Sequence, residues 1–129
     1  MKLYQVINNE DVLAKVIEMV EQAQHKLQVV EGEDDCHHVQ PDSRYFQALN
    51  EFCARGGKVT RYYFGSSERF EAAKKENPAV CYLFRGGMEN YQRAVIADGK
   101  AAMAKIGETF VYSRHPEWVA MLQAYLENG

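Results

Sequence analysis

The spacing of apolar residues changes period several times along this chain, and each change marks an element. Leu3 to Ile7 is a short apolar run suited to an edge strand. Asn8-Asn9-Glu10-Asp11 supplies capping residues. Val12, Leu13, Val16, Ile17, Met19, Val20 and Ala23 then recur at helical spacing, which predicts an amphipathic helix of about 15 residues. Lys26 to Val30 reads as a strand, and Glu31 to Asp42 is polar and irregular, broken by Gly32 and Pro41. Asp42 or Ser43 can cap a second helix whose buried face is Tyr45, Phe46, Leu49, Phe52 and Cys53, and Gly56-Gly57 ends it.

Lys58 to Phe64 is rich in β-formers and predicts a strand. Ser66 to Asn77 is a charged helix with few apolar positions, placed at the surface and stopped by Pro78. Ala79 to Phe84 is a further strand, closed by Gly86-Gly87. Tyr91 to Ala97 and Ala101 to Ile106 flank Asp98-Gly99, a strong hairpin signal. Thr109 to Tyr112 makes a last short strand. Pro116 opens a final helix with Val119, Met121, Leu122 and Leu126 as its apolar stripe. Leaving that last short strand aside, the order β-α-β-α-β-α-β-β-β-α predicts an α/β fold: a mixed, mostly parallel sheet sandwiched by helices, with an antiparallel hairpin toward the C-terminal end, residues 1–129 forming one domain.

Composition narrows the classes. With 47% hydrophobic and 26% charged residues, the 129-residue chain has the balance of a globular domain able to bury its own core. The net charge of −3 argues against a protein that wraps nucleic acid, which relies on Lys and Arg to neutralise phosphates. No apolar run approaches the roughly 18–20 residues of a membrane helix, and the N-terminus turns polar too early for a signal peptide. The three cysteines, Cys36, Cys53 and Cys81, are widely spaced and form no C-x-x-C pair, so free thiols in the cytoplasm are expected. Cys53 and Cys81 sit in apolar patterns and read as core; Cys36, in a polar segment, is the one placed to react.

Three segments offer chemistry. Glu31-Gly32-Glu33-Asp34-Asp35-Cys36-His37-His38 gathers carboxylates and imidazoles, but adjacent histidines diverge in extended backbone and no second ligand group has metal-site spacing. A solvated acidic loop is expected, with no metal and no cofactor. Because it follows a strand of an α/β sheet, His37 or His38 could line a ligand pocket. Arg61, Tyr62, Tyr63, Phe64 and Arg69 interleave basic and aromatic residues, a pattern that stacks bases but more often is a strand half in the core. The third segment is Tyr91-Gln92-Arg93-Ala94-Val95-Ile96-Ala97-Asp98-Gly99-Lys100, with a tyrosine, an arginine and an aspartate at fixed offsets.

The spacing Y-x-R-x4-D resembles the H-x-K-x4-D motif of phospholipase D-like enzymes. Other segments follow in family order. The helix and apolar run from Val16 to Val30 comes first. Asp42-Ser43-Arg44-Tyr45-Phe46-Gln47-Ala48-Leu49 is followed by Ala54-Arg55-Gly56-Gly57-Lys58-Val59-Thr60-Arg61. The closing helix spans His115 to Leu126. The resemblance implies a single phospholipase D-like module. In catalytic members the motif histidine attacks phosphorus, the lysine neutralises the phosphate and the aspartate supports the histidine, with two modules building one site.

Here Tyr91 takes the histidine's place, Arg93 the lysine's, and Asp98 matches. The downstream G-S/G-x-N is absent, since Gly107-Glu108-Thr109-Phe110 comes late and lacks the asparagine. A phenol with a pKa near ~10 is a poor nucleophile at neutral pH, whereas Arg93 can still hold a phosphate. The expectation is a non-catalytic, regulatory module with Tyr91, Arg93, Asp98, His37 and His38 as ligand-binding residues. Its partner would be a phosphate-containing small molecule or a protein, and it would form a homodimer through the motif face. The alternatives are a divergent phosphodiesterase or nuclease, and a sensory or adaptor domain acting through protein contacts alone.

Overall fold

A computed structural model describes residues 3–33, 44–76, 78 and 80–128. Seven strands form one sheet: β1 (Gln5–Ile7), β2 (Lys26–Gly32), β3 (Lys58–Phe64), β4 (Cys81–Gly86), β5 (Ala94–Ala97), β6 (Ala101–Ile106) and β7 (Thr109–Ser113). Four helices accompany them: α1 (Val12–Gln22), α2 (Arg44–Ala54), α3 (Ser67–Glu76) and α4 (Pro116–Asn128). The element order matches the sequence pattern once Thr109–Ser113 is counted, which makes four strands in a row before α4, and the fold is α/β with a mixed sheet.

The spatial order is β1-β7-β6-β5-β2-β3-β4. Strands β2, β3 and β4 are parallel, joined through α2 and α3 as parallel neighbours require. Every other pairing is antiparallel, including β5 against β2. The antiparallel part is therefore larger than one hairpin. Its cause lies in the connection from β4 to β5, which holds only a short 3₁₀ turn, Met88–Asn90. A chain that leaves β4 without a returning helix re-enters the sheet from the same end, so β5 runs opposite to β2 and β3.

Alternation along the strands gives the sheet two apolar faces. Leu27, Val59, Val95, Ala97, Met103 and Phe110 pack with Ile17, Met19 and Val20 of α1 and with Leu49 and Phe52 of α2. Val30, Tyr62, Phe64, Ile96, Ala102 and Ala104 pack with Val119, Leu122 and Leu126 of α4. The sparsely apolar α3 contributes Phe70, which meets Tyr63 and Tyr82 near the β4 edge. Phe52 is fully buried, and its ring lies against the bare Cα of Gly57, where a β-carbon would come within 2.4 Å. Gly56 and Gly57 close α2: their N–H groups reach back to the Cys53 and Phe52 carbonyls, the double bond of a Schellman ending. Truncation of Phe52 to alanine would cost about 3–5 kcal/mol.

Some expectations need correction. Cys53 and Cys81 are exposed, because they fall on the outer sides of α2 and of the edge strand β4. The strand expected to begin at Tyr91 begins at Ala94, since the 3₁₀ turn consumes the preceding residues. Glu31 belongs to β2 and is buried. Cys36, His37, His38, Pro41, Asp42 and Ser43 lie outside the described residues. No helix among the described residues is long and apolar enough to cross a membrane.

Candidate functional site

Strand β5 carries the back half of the Tyr91–Asp98 motif, and its register assigns the motif residues to different places. Val95 pairs with Val29 and Ala97 with Leu27, so β5 runs from the end of the sheet where β2 finishes to the end where β2 begins. Arg93 therefore stands at the finishing end and Asp98 at the starting end. The strand between them puts the length of β5 between their side chains.

Asp98 and Gly99 form the two-residue turn between β5 and β6. Both have positive φ, +56° and +65°, as a type I′ hairpin needs, and the Lys100 N–H closes the turn on the Ala97 carbonyl at 2.9 Å. The Asp98 carboxylate also accepts three backbone hydrogen bonds from the chain leading into β2: Oδ2 from the Gln24 N–H at 2.8 Å, and Oδ1 from those of His25 and Lys26 at 2.8 and 2.9 Å. Partial burial pushes this carboxyl up, but the three N–H donors and the neighbouring His25 outweigh it and hold the pKa below the ordinary aspartate value. Asp98 thus ties the β5–β6 hairpin to the start of β2.

Tyr91 follows the 3₁₀ turn and packs on the α4 face. Its ring meets that of Phe64 edge-on, with centroids 6.0 Å apart, and Phe64 in turn stacks on Tyr125 at 6.4 Å. The Tyr125 hydroxyl donates to the Asn90 carbonyl, and burial raises its pKa. The turn that positions Tyr91 is in this way fixed from α4.

Arg93 goes to the opposite face. Its guanidinium lies over Phe110, a residue of the α1/α2 core, 5.4 Å from the ring centroid. Lys105, on the neighbouring strand, donates its backbone N–H to the Arg93 carbonyl at 3.0 Å and brings its ammonium to 6.0 Å from the same ring. Gln92 pins this junction through its carboxamide, which donates to the Lys105 and Arg93 carbonyls. Arg93 is exposed and Lys105 half-buried, and among the described residues neither has an acidic partner. Two cations thus share one aromatic ring at the finishing end of the sheet.

A second charged group occupies the same face two strands away. Arg61 donates to Glu31 Oε1 at 2.7 Å, and both side chains are nearly buried. The Tyr45 hydroxyl lies 3.3 Å from the same guanidinium, and the Tyr82 hydroxyl 3.4 Å from Glu31. Burial works against the Arg61 charge, but Tyr45, Tyr82 and Glu31 together raise its pKa further, so it stays protonated. The basic-aromatic run at Arg61–Phe64 is accounted for by this pair and by the burial of Tyr62, Tyr63 and Phe64.

The structure brings none of Tyr91, Arg93 and Asp98 together, and His37 and His38 fall outside the described residues. Sequence reading missed Glu31 and Lys105. The signal for Glu31 was parity: Leu27, Val29 and Glu31 alternate on one face. For Lys105 it was the Asp-Gly hairpin, which sets it beside Arg93. Among the described residues no group of three His, Cys, Asp or Glu side chains is placed to hold a metal ion.

No family model and no curated protein matches this chain. Solved structures do. A phospholipase D family member, Nuc from Salmonella typhimurium, superposes with a TM-score of 0.68 at 11% identity, over 97% of this chain and 91% of that one. The fold is phospholipase D-like. TrmBL2, described as an archaeal chromatin protein with a novel mode of DNA binding, superposes with a TM-score of 0.70 at 18% identity, over 99% of this chain. This chain spans about half of TrmBL2, 49% of its length. At these identities the likeness concerns the fold alone.

Proposed function

We propose that this chain is a non-catalytic phospholipase D-like module that binds an anion, a phosphate-bearing molecule or a phosphate-like group on a protein partner, at Arg93 and Lys105. The supporting observation is the division of the motif: Arg93 and Lys105 sit together on Phe110 without acidic partners among the described residues, while Tyr91, in the nucleophile's place, packs on the other face against Phe64. An anion holder without a nucleophile beside it binds and does not turn over. Asp98, expected as a ligand contact, acts in this reading as the brace that fixes β5, and His37 and His38 remain further candidate contacts. Titration with pyrophosphate should show saturable binding that weakens about tenfold in Arg93→Gln, the loss of one charge-assisted contact. Hydrolysis of bis(p-nitrophenyl) phosphate that disappears in Tyr91→Phe or His38→Ala would overturn the non-catalytic reading in favour of a divergent phosphodiesterase. The resemblance adds a homodimer meeting through this end of the sheet, which a monomeric mass at micromolar concentration in sedimentation equilibrium would exclude.

A second reading, nucleic-acid binding, is favoured by the likeness to TrmBL2, whose structure is described as showing a mode of DNA binding. The net charge of −3 runs against it. Fluorescence anisotropy with a labelled duplex separates the two: nucleic-acid binding would give an affinity that falls steeply with salt and drops further in Arg93→Gln.

A further inference from the structure

The starting end of the sheet holds a cleft of its own, between the end of α1 and the β5–β6 hairpin. Its volume is about 160 Å³, and its walls include Gln22, Gln24, Asp98, Lys100, Tyr112 and Arg114. A single water needs only about 10–15 Å³ by this measure, so there is room for a phosphate group with a small substituent. A second, shallower cleft of about 260 Å³ adjoins it, lined by Gly99, Lys100, Arg114 and Pro116. Lys100 and Arg114 line both clefts and stand between them. The reason is register: Lys100 precedes β6 and Arg114 follows β7, and Ala102 pairs with Ser113, so the hairpin turn and the end of β7 meet at the same edge.

The electrostatics of this cleft favour an anion. Lys100 and Arg114 are exposed and have no acidic partner among the described residues. The acidic group in the wall, Asp98, already has both carboxylate oxygens engaged by the backbone N–H groups of Gln24, His25 and Lys26. Lys26 and Lys58 pair in register at the same end of the sheet and add potential of the same sign, against which Glu117 in the first turn of α4 contributes an opposing charge. Two cations with two carboxamides and a phenol on the walls match a dianion that offers several acceptor oxygens.

We propose that the cleft at the Asp98-Gly99 turn binds a small phosphate monoester or inorganic phosphate, with Lys100 and Arg114 as the charged contacts. The site is independent of Arg93 and Lys105, which lie at the other end of β5. The test is an amide nitrogen–proton NMR titration with inorganic phosphate at fixed ionic strength, carried out on the Arg93→Gln, Lys105→Gln protein so that binding at the other end does not contribute. The amides of Gly99, Lys100 and Arg114 should shift together and saturate with one dissociation constant. Lys100→Gln and Arg114→Gln should each weaken that binding about tenfold, and the two combined should abolish it. A uniform drift that does not saturate would overturn the proposal, as would an unchanged response after both substitutions. Either result leaves the Arg93 reading standing, and loss of pyrophosphate binding in Arg93→Gln alone would leave this one standing. A parallel titration with glycerol phosphate separates a monoester preference, seen as tighter binding than inorganic phosphate, from recognition of the phosphate group alone; both outcomes support the site.

Discussion

The two ends of β5 use charge in opposite ways. At Asp98 a carboxylate is spent on the chain itself, with three backbone N–H groups of the approach to β2 drawn onto two oxygens. At Arg93 a guanidinium rests on Phe110 with Lys105 beside it and no carboxylate among the described residues to neutralise either. Four residues separate them in sequence, yet one end is committed to the fold and the other carries two exposed or half-buried cations. In the function proposed above, the phospholipase D-like spacing is two features in one string: an architectural aspartate that ties the turn to β2, and an arginine offered to an anion.

The finishing end contains its own locked counterpart in Glu31 and Arg61, and the sharpest way to break the comparison starts there. Arg61→Ala strands a buried carboxylate and should cost about 3–5 kcal/mol, measured as a fall in the urea midpoint at unchanged slope. The double change Glu31→Met, Arg61→Met should recover most of that loss, because an apolar pair of similar volume avoids desolvating two charges. A double variant as unstable as the single one would mean that the pair does more than neutralise itself.

Asp98 comes next in size. Asp98→Ala removes the acceptor of three N–H groups and puts alanine at φ +56°, for a combined cost of about 2–4 kcal/mol. Asp98→Asn tolerates the left-handed turn but presents an uncharged acceptor, so its cost should be about half as large. The pH dependence has a fixed sign. The folded-state pKa lies below the unfolded value of about 3.9, so the carboxylate's contribution is fully present above that value and is lost as pH falls through the folded pKa. Wild-type protein should lose stability relative to Asp98→Asn below about pH 4, and the gap between them should close in acid. Parallel stability curves for the two proteins from pH 7 to pH 2 would count against the brace.

Which parts were legible in the sequence follows from range. Period and punctuation are local: Gly56-Gly57 ended α2 where a left-handed cap was needed, and Asp98-Gly99 specified a hairpin from two residues. Facing is less local. Cys53 fits an apolar pattern at a helix end, yet it lies on the outer side once α2 is laid against α1 and β3. Tyr91 is the instructive case. Extended as a strand from Ala94, its parity would put it on the face of Arg93; the 3₁₀ turn at Met88–Asn90 breaks that parity, and Phe64 and Tyr125 draw the ring under α4. Nothing within Tyr91–Asp98 announces the turn. The pairing of Arg61 was hidden for a similar reason, because its partner Glu31 is 30 residues away and reads as the first residue of an acidic loop.

The smallest expected effect on stability falls on the open end, and it is the one proposed to carry function. Arg93 is exposed, and its contact with Phe110 is worth about 0.5–1 kcal/mol at such a site. Lys105 adds a comparable or smaller amount at a longer distance. Arg93→Gln and Lys105→Gln should therefore each shift the urea midpoint by an amount close to the error of the measurement, while the pair together, made in the Lys100→Gln, Arg114→Gln background so that only this end is read, should remove pyrophosphate binding by calorimetry. Asp98→Asn should give the reverse: a clear loss of stability, with the pyrophosphate affinity of the folded protein retained, because the length of β5 separates the two groups. The crossed result is what distinguishes a divided motif from an assembled site. If Asp98→Asn weakened pyrophosphate binding as much as Arg93→Gln does, the aspartate would be acting on the ligand, and the two ends of β5 would belong to one site after all.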